Sequence, residues 1–524
     1  MNFIFSTQGA KLDIFNNLSN ELKNNFQDPS VCGAFIADKI FFEDYSQENK
    51  ISFDHIATEW QCRQNSQVVV ENIQLKINEL ETKYGDPFLW RSIKSDRRIS
   101  FGPHYAYKQD YLARMTHEEL QNYLYWTITE IESLFEKVKP NFTCGFICTT
   151  LGDYILYLVS RAHGVPYINL RPTRILNYFI GAESIHEPSE FYENNFCLNS
   201  KKDSFYQKEV EVYLKKYYEE SIGYEGVIKP RKKYSSYRQK GIGILRLLKN
   251  FSRQIDLWRR KRYGDLRFDP QLNPVFTQLL YNLFFRRYKS QYANFILRKT
   301  YKHAKSCMEN EINSFAFYPL HTEPEVTLSV YSSNYTNQIE SIRSFAASLP
   351  LNYKLIVKEH PWAIGKRSMG FYKKIISIPN VEICDPSLTT KYIIERSSLV
   401  MVTAGSVALE GAILGKPVIA IGNTPFTSFP KNMIMHSKNL SELDKDIDFL
   451  IKNYKFDNEF ISKYIAYVIS NSVPIDFYSL LSKRREVLEN NEVLTNDQQH
   501  LEYKKQITSL SEYLMDRVRI FNEI

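Results

Sequence analysis

The sequence has no Cys-x-x-Cys pair and no histidine at zinc-ligand spacing from a cysteine. Its seven cysteines (Cys32, Cys62, Cys144, Cys148, Cys197, Cys307 and Cys384) are odd in number and mostly scattered. This argues against a disulfide framework and for a reducing compartment. Cys144 and Cys148 fall inside an apolar run, where they read as small buried hydrophobes. No charge-free run of about 18 apolar residues exists, so a spanning helix is not expected. The best candidate, Leu399 to Ile421, is broken by Glu410 and Lys416. The opening Met1-Asn2-Phe3-Ile4-Phe5-Ser6 lacks a basic start and a long apolar stretch, so no signal peptide is expected. A cytoplasmic protein follows, with any membrane contact peripheral, at the inner face of the cell membrane. Internal repeats, low-complexity tracts and recognisable nucleic-acid motifs are also missing, and nucleic acid is not an expected partner.

What is present is enough apolar sequence for sizeable cores, 43% of 524 residues, in a chain too long for one of them. Short β-rich runs alternate with helical spacing in two regions, the mark of parallel strands with crossover helices. The first region covers residues 1–185. Its strands are Phe3 to Phe5, Val31 to Phe42, Phe142 to Thr149 and Val165 to Leu170. Helices are expected over Leu12 to Leu22, Val68 to Tyr84, His117 to Val138 and from Leu151 to His163. The second region covers residues 311–430, with strands Phe315 to Pro319, Tyr353 to Val357, Val381 to Ile383, Leu399 to Val402 and Val418 to Ile421. Residues 431–524 read as mostly helical, including Leu440 to Ile451, Ile461 to Ser470, Leu480 to Glu489 and Tyr503 to Phe521. The expected class is α/β, with two Rossmann-like domains facing a cleft.

Between the two regions, residues 186–310 change character. From Lys229 to Lys302 there are 20 basic and 3 acidic residues, so this segment supplies the whole formal charge of +8 and leaves the remainder at −9. Apolar and aromatic residues such as Ile242, Leu248, Phe251, Ile255 and Trp258 interleave with the cations at amphipathic-helix spacing. An anionic membrane surface is the favoured partner for this segment, since each Lys or Arg near such a surface contributes about 1 kcal/mol.

The candidate chemistry stands just after strands, where open α/β sheets bind ligands. Thr403-Ala404-Gly405-Ser406 joins a strand to a helix. Gly405 admits a phosphate to the backbone, the Thr403 and Ser406 hydroxyls donate, and free N–H groups attract an anion. Glu410, one turn on, can accept from ribose hydroxyls; the plain alternative is a capping serine and a solvated glutamate. Lys358-Glu359-His360-Pro361 ends another strand, with Lys358, Glu359 and His360 as donor-binding candidates, Lys358 and His360 suited to phosphate, and Pro361 stopping the strand. Pro319-Leu320-His321-Thr322-Glu323-Pro324-Glu325 ends a third, with His321 suited to a leaving group and Glu323 or Glu325 to sugar hydroxyls. In the first region Asp153 follows a strand and opens a helix, a position for a general base on an acceptor hydroxyl or for a simple dipole partner. Ser6, Thr7, Gln8 and Gly9 are candidates for lining the same cleft. No metal cluster is evident, and neither metal nor cofactor is expected.

In this order, Tyr318-Pro319-Leu320-His321, Lys358-Glu359-His360-Pro361 with Gly365 and Arg367, Thr403-Ala404-Gly405-Ser406 with Glu410, and Gly415-Lys416-Pro417 resemble bacterial capsule and surface polysaccharide biosynthesis proteins. The chain is similar to capsule-type Kdo transferases, which are GT-B glycosyltransferases. The resemblance covers mainly residues 315–425, with weaker support in Phe146 to Ile175. It implies a nucleotide-sugar donor on the second domain, a CMP-sugar such as CMP-Kdo being favoured, and a growing glycan or lipid-linked glycan as acceptor. The His-Pro pair and the serine turn are also similar to CMP-binding elements of bacterial sialyltransferases, which implies that His360 and Ser406 hold the donor phosphate. The turn departs from the Kdo-transferase pattern in reading Ala404-Gly405-Ser406 where that family has paired serines. Similar His-Pro and Gly-Lys-Pro elements occur in UDP-sugar epimerases and polyol-phosphate transferases, so a nucleotide-sugar epimerase is one alternative. A non-catalytic scaffold of the polysaccharide machinery is the other.

Overall fold

The computed structural model describes residues 1–25, 30–100, 115–196, 206–220, 255–264, 286–310, 314–323, 325–360, 363–481, 488–489, 492–493 and 496–523. Most of the basic segment from Lys229 to Lys302, with Ile242, Leu248 and Phe251, lies outside these residues, as do Cys197, Pro324 and Pro361.

The first sheet has seven strands: β1 (Phe3–Thr7), β2 (Cys32–Ile36), β3 (His55–Thr58), β4 (Phe142–Phe146), β5 (Tyr167–Pro172), β6 (Tyr178–Ala182) and, from late in the chain, Val473–Pro474. Strands β3-β2-β1-β4-β5 lie in that order and are parallel; β6 pairs antiparallel to β5 and carries Val473–Pro474 on its outer side. The second sheet has six strands: β7 (Ser314–Pro319), β8 (Tyr353–Lys358), β9 (Val381–Cys384), β10 (Leu399–Val402), β11 (Val418–Ala420) and β12 (Ile434–His436). They are all parallel and run β9-β8-β7-β10-β11-β12. Each sheet grows outward from its first strand and then reverses to the other side. This is the Rossmann-like plan, and the reversal leaves a crevice between the strands on either side of it. In the first sheet the crevice lies between β1 and β4, in the second between β7 and β10.

Both faces of each sheet are covered, as parallel sheets require. Alternate residues of one strand enter different cores: Leu355 and Val357 pack on one side of β8 and Ile356 on the other. Phe3 and Phe5 likewise oppose Ile4 across β1. The carboxy-terminal part serves both sheets. The helix Leu443–Asn453 covers the second sheet, and Asn496–Asn522 packs on Lys11–Asn25 beside the first, where Tyr503 donates to Asp13 at 2.9 Å. The sheets also exchange side chains. Ile175, just after β5, is buried in the second sheet's core, and Val330 and Tyr331, after β7, are buried in the first sheet's.

Three expected elements differ. The run Val31 to Phe42 is a strand only over Cys32–Ile36, because Asp38 caps a helix over Lys39–Glu48 by accepting from the Phe41 N–H. The helix expected over Val68 to Tyr84 begins at Ile73, after Asn72 in the left-handed region. Of the helix expected over Leu480 to Glu489, residues 482–487 lie outside the described residues, and Leu488–Glu489 pairs antiparallel with Glu492–Val493. Among the described residues no helix is long and apolar enough to cross a membrane.

Candidate functional site

The second crevice is built by the loops that leave β7, β8 and β10. Tyr318, near the end of β7, and Thr403, just past β10, hydrogen-bond through their hydroxyls at 2.8 Å and close the floor. Thr403 is thereby committed to the floor and fully buried. Gly405 stands at φ 103°, and a Cβ there would lie 3.1 Å from His321 Cε1. Only glycine therefore lets the serine turn pass so close to the histidine. Ser406 begins the helix Val407–Ile413 without capping it; its hydroxyl donates to Glu410 Oε1 at 3.1 Å. Glu410 also accepts from Tyr217 at 3.4 Å, a residue of the helix Gln207–Glu220. Burial pushes the Glu410 carboxyl upward, against those two hydrogen bonds and Lys358.

His321 is held through its backbone. Its N–H donates to Gln338 Oε1 at 2.7 Å, and its carbonyl accepts from Gln338 Nε2 at 3.1 Å and from Arg367. Arg367, 1% exposed, ties the β7 and β8 loops together: its Nε donates to Glu359 at 2.8 Å and its Nη1 to Glu323 at 3.0 Å. Glu359 accepts further from Tyr372 at 2.9 Å. Glu323 and Glu359 are thus scaffolding carboxylates buried against one guanidinium, and Glu359 is not presented to a donor as the sequence suggested. The His321 ring is left with a buried Nε2 that has no partner and an Nδ1 3.9 Å from Glu325. Burial, with Arg174, His360 and Arg367 nearby, lowers its pKa to about 3 against a hydrogen bond with the Ala404 backbone, so the ring is neutral at physiological pH. Glu325 keeps 45% of its side chain in solvent at the crevice mouth. Desolvation of the inner part of its side chain raises its carboxyl above the usual carboxylate range, with Arg174 opposing.

Lys358 ends β8 and is 7% exposed. Burial depresses its ammonium even though Cys384, Glu359, Glu410 and Asp385 favour the charged form. No hydrogen bond or close ion pair holds it among the described residues. His360, two residues on and exposed at the crevice edge, is lowered to about 4 by desolvation of its inner side and by Lys358, Lys366 and Arg367, so it offers a neutral ring. The structure thus brings Lys358, His360, His321, Gly405, Ser406, Glu410 and Glu325 to one strand-end edge.

The first crevice is different. Asp153 accepts from the Ser6 hydroxyl and from the Thr149 and Thr150 N–H groups at 3.0 and 3.1 Å. It forms a reciprocal capping box with Thr150 at the start of the helix Leu151–Ala162. With three donors on its two oxygens Asp153 sits as a helix cap, the arrangement of the dipole-partner alternative that the sequence offered beside a general base. Gln8 reaches Thr149, and Lys11 donates to the Phe146 carbonyl at 3.0 Å, so the β1 loop is stitched to the β4 loop.

Sequence reasoning missed Arg174. It follows β5 in the left-handed region at φ 70°, lies 3.6 Å from Glu187, and acts on both His321 and Glu325 across the junction. The rule that ligands gather at strand ends applies to β5 as well and would have pointed to it. Tyr217 had no such signal, because its contact is made by a helix from outside both sheets.

No known protein-family model matches the chain, and no curated protein matches it in sequence. Among solved structures it is similar to UDP-GlcNAc 2-epimerase from Neisseria meningitidis bound to UDP-GlcNAc, at 11% identity over 90% of this chain and 100% of that one, with a TM-score of 0.24. It is similar to the beta Kdo 2,4 transferase of Thermosulfurimonas dismutans KpsC, at 11% identity over 63% and 79% of the two chains, with a TM-score of 0.34. The beta Kdo 2,7 transferase of the same protein gives 11% identity over 73% and 89%, with a TM-score of 0.31. At such identities and scores these likenesses carry no functional weight, and the chemistry below rests on the chain's own residues.

Proposed function

We propose that the chain is a metal-independent GT-B glycosyltransferase that moves a sugar from a nucleotide-sugar donor onto a growing capsular or surface polysaccharide. A CMP-sugar such as CMP-Kdo is the favoured donor. The observation that carries this is the contrast between the two crevices. The first is closed by its own hydrogen bonds, whereas the second presents an ammonium, two neutral histidines and a glycine-lined turn at one edge. Lys358, the His360 ring and the backbone at Gly405 and Ser406 hold the departing phosphate. Glu325, half-exposed at the crevice mouth with its carboxyl raised above the usual range, takes the proton of the acceptor hydroxyl as its oxygen attacks the anomeric carbon. Glu410 and Tyr217 receive hydroxyls of the nucleoside. The basic segment turns the protein to an anionic membrane surface carrying lipid-linked acceptor.

One observation favours a second reading. A neutral histidine with an unpartnered nitrogen, 3.9 Å from a carboxyl group, also suits proton transfer at a sugar carbon, which is epimerase chemistry. A single comparison separates the readings and tests the base. Turnover of labelled nucleotide sugars is measured with and without glycan acceptor, for wild type, Glu325→Gln and Asp153→Asn. Transfer is expected to need acceptor. Glu325→Gln should lose about a hundredfold in kcat, and Asp153→Asn should lose stability with kcat nearly unchanged in the folded fraction. Product formed from the donor alone favours the epimerase.

A further inference from the structure

The helix Arg286–Glu309 has two unlike faces. Its inner face, Ala293, Leu297, Thr300, Ala304 and Cys307, is buried against the second sheet. Thr300 anchors it at the edge strand, donating to Glu382 at 2.6 Å and accepting from the Ile383 N–H at 2.8 Å. This covers the free edge of β9, which would otherwise invite pairing with another chain. The direction of the helix follows from its contacts. Thr300 meets the end of β9, whereas Cys307 lies near Lys354 at the start of β8. The helix therefore runs against the strands, and its amino-terminal half points toward the edge where Lys358 and His360 stand.

The outer face of that half is aromatic. Tyr288, Tyr292 and Phe295 are 65%, 40% and 74% exposed. The two tyrosine rings lie parallel, 6.1 Å apart at 2°. Lys299 and Lys302 continue the same stripe, the spacing being four, three, four and three residues. Across its 24 residues the helix carries seven Lys or Arg and one acid, Glu309 at its end. A charged helix placed only for solubility has no reason to hold three large aromatics in water. Aromatics with cations beside them are what a lipid headgroup layer accommodates: the rings enter the interface and the ammonium groups meet lipid phosphates. Residues 255–263 repeat the composition, with Trp258 and Tyr263 exposed and Arg262 over both rings, and Arg260 ties them to Glu43 of the first domain at 2.8 Å.

We propose that the Tyr288–Tyr292–Phe295 stripe, with Lys299 and Lys302, is the surface that seats the protein on an anionic bilayer, with the donor crevice opening at the lipid. The proposal rests on the reading of the basic segment as membrane-facing and assigns that contact to particular residues. It places the crevice where an acceptor on a lipid carrier arrives by diffusion in the plane of the membrane.

The test is co-sedimentation of the full chain with vesicles of phosphatidylcholine alone or with added phosphatidylglycerol. Wild type should bind the anionic vesicles and not the neutral ones. Lys299→Glu/Lys302→Glu and Tyr288→Ser/Tyr292→Ser/Phe295→Ser should each lower the partition coefficient by roughly tenfold or more. Lys445→Glu/Lys452→Glu, on an exposed helix elsewhere, should change it little. All of these positions are exposed, so an unchanged melting temperature shows that folding is not the cause. If wild type ignores anionic vesicles, both the membrane reading and this inference fall. If wild type binds and the stripe variants bind equally, this inference alone falls. If the lysine variant weakens binding, the aromatic variant does not, and soluble dextran sulfate displaces the protein, the surface is one for a polyanionic glycan and the proposal is overturned.

Discussion

Replacing Lys358 by methionine should make the protein no less stable and much worse at binding nucleotide. Its side chain is 7% exposed, and its ammonium is depressed by burial despite four groups that favour the charge. The sign follows directly. A lysine whose folded-state pKa lies below its unfolded value weakens the fold at every pH below that folded pKa, and the weakness fades as pH rises toward the unfolded value. At neutral pH the charged form is therefore a cost that an apolar chain of similar length removes. Exchanging buried charge for well-packed hydrophobe is typically neutral or stabilising by about 1–4 kcal/mol, and the low end is expected here because Glu410 loses a favourable neighbour. A hydrogen bond from an ammonium to a phosphate contributes about 1.5–3 kcal/mol, so the affinity for a nucleotide should fall roughly ten- to hundredfold. Urea denaturation measures the first quantity. Calorimetric titration with CMP, CDP, UDP and GDP measures the second and identifies the base by the tightest ligand. A variant that binds the preferred nucleotide as wild type does would refute the placement of the phosphate at Lys358, whatever its stability.

Two further substitutions probe the same crevice. Gly405→Ala places a Cβ at φ 103° and 3.1 Å from the His321 ring, so it should cost about 1–3 kcal/mol in urea denaturation and reduce turnover, whereas a harmless alanine would mean that the turn does not press on His321. His321 is ordinarily protonated below pH 6.5 and is held neutral down to about 3 in the fold. Unfolded protein therefore binds the extra proton, and stability should fall on acidification through that window by a few kcal/mol from this group. His321→Gln should flatten the pH dependence of the urea midpoint between those values, with His186, His360 and His436 supplying what remains.

Much of the second sheet was legible because parallel strands buried on both faces are nearly continuous apolar runs. Leu399 to Val402 and Leu355 to Val357 announce themselves, and the helix expected from His117, capped by Thr116, begins where it is expected. Tyr178–Ala182 escaped although it is apolar, and the other strands missed in the two sheets have weak patterns. His55–Thr58 begins with a histidine, Ile434–His436 is three residues long, and Val473–Pro474 is a strand only because β6 offers it an antiparallel edge. Strand-end position brought Lys358, His360, His321 and Ser406 to one edge, as the structure does, but it could not say which carboxylate is spare. Asp153 and Glu359 look as available in sequence as Glu325 does. Only the count of donors around each oxygen separates two filled carboxylates from one at the solvent edge. Arg174 and Tyr217 depend on how separate parts of the chain meet, which no local pattern encodes.

The contrast between the crevices also bears on the joining of the two halves. Each crevice faces elements of the other sheet: Ile175 is buried in the second core and Tyr331 in the first, with Arg171 6.0 Å from the Tyr331 ring centre. Arg174 follows in the left-handed region, a conformation of real cost for a non-glycine residue, and it persists because burial of Ile175 beside it holds the loop. On the proposed mechanism, the first half contributes through this loop rather than through its own crevice. Arg174 influences both His321 and Glu325, lowering the pKa of each and favouring the neutral ring and the ionised carboxylate that proton abstraction from an acceptor requires. Its charge stabilises the working protonation state of a base it does not itself need to touch, and the self-capped crevice of the first sheet gives that loop a rigid base.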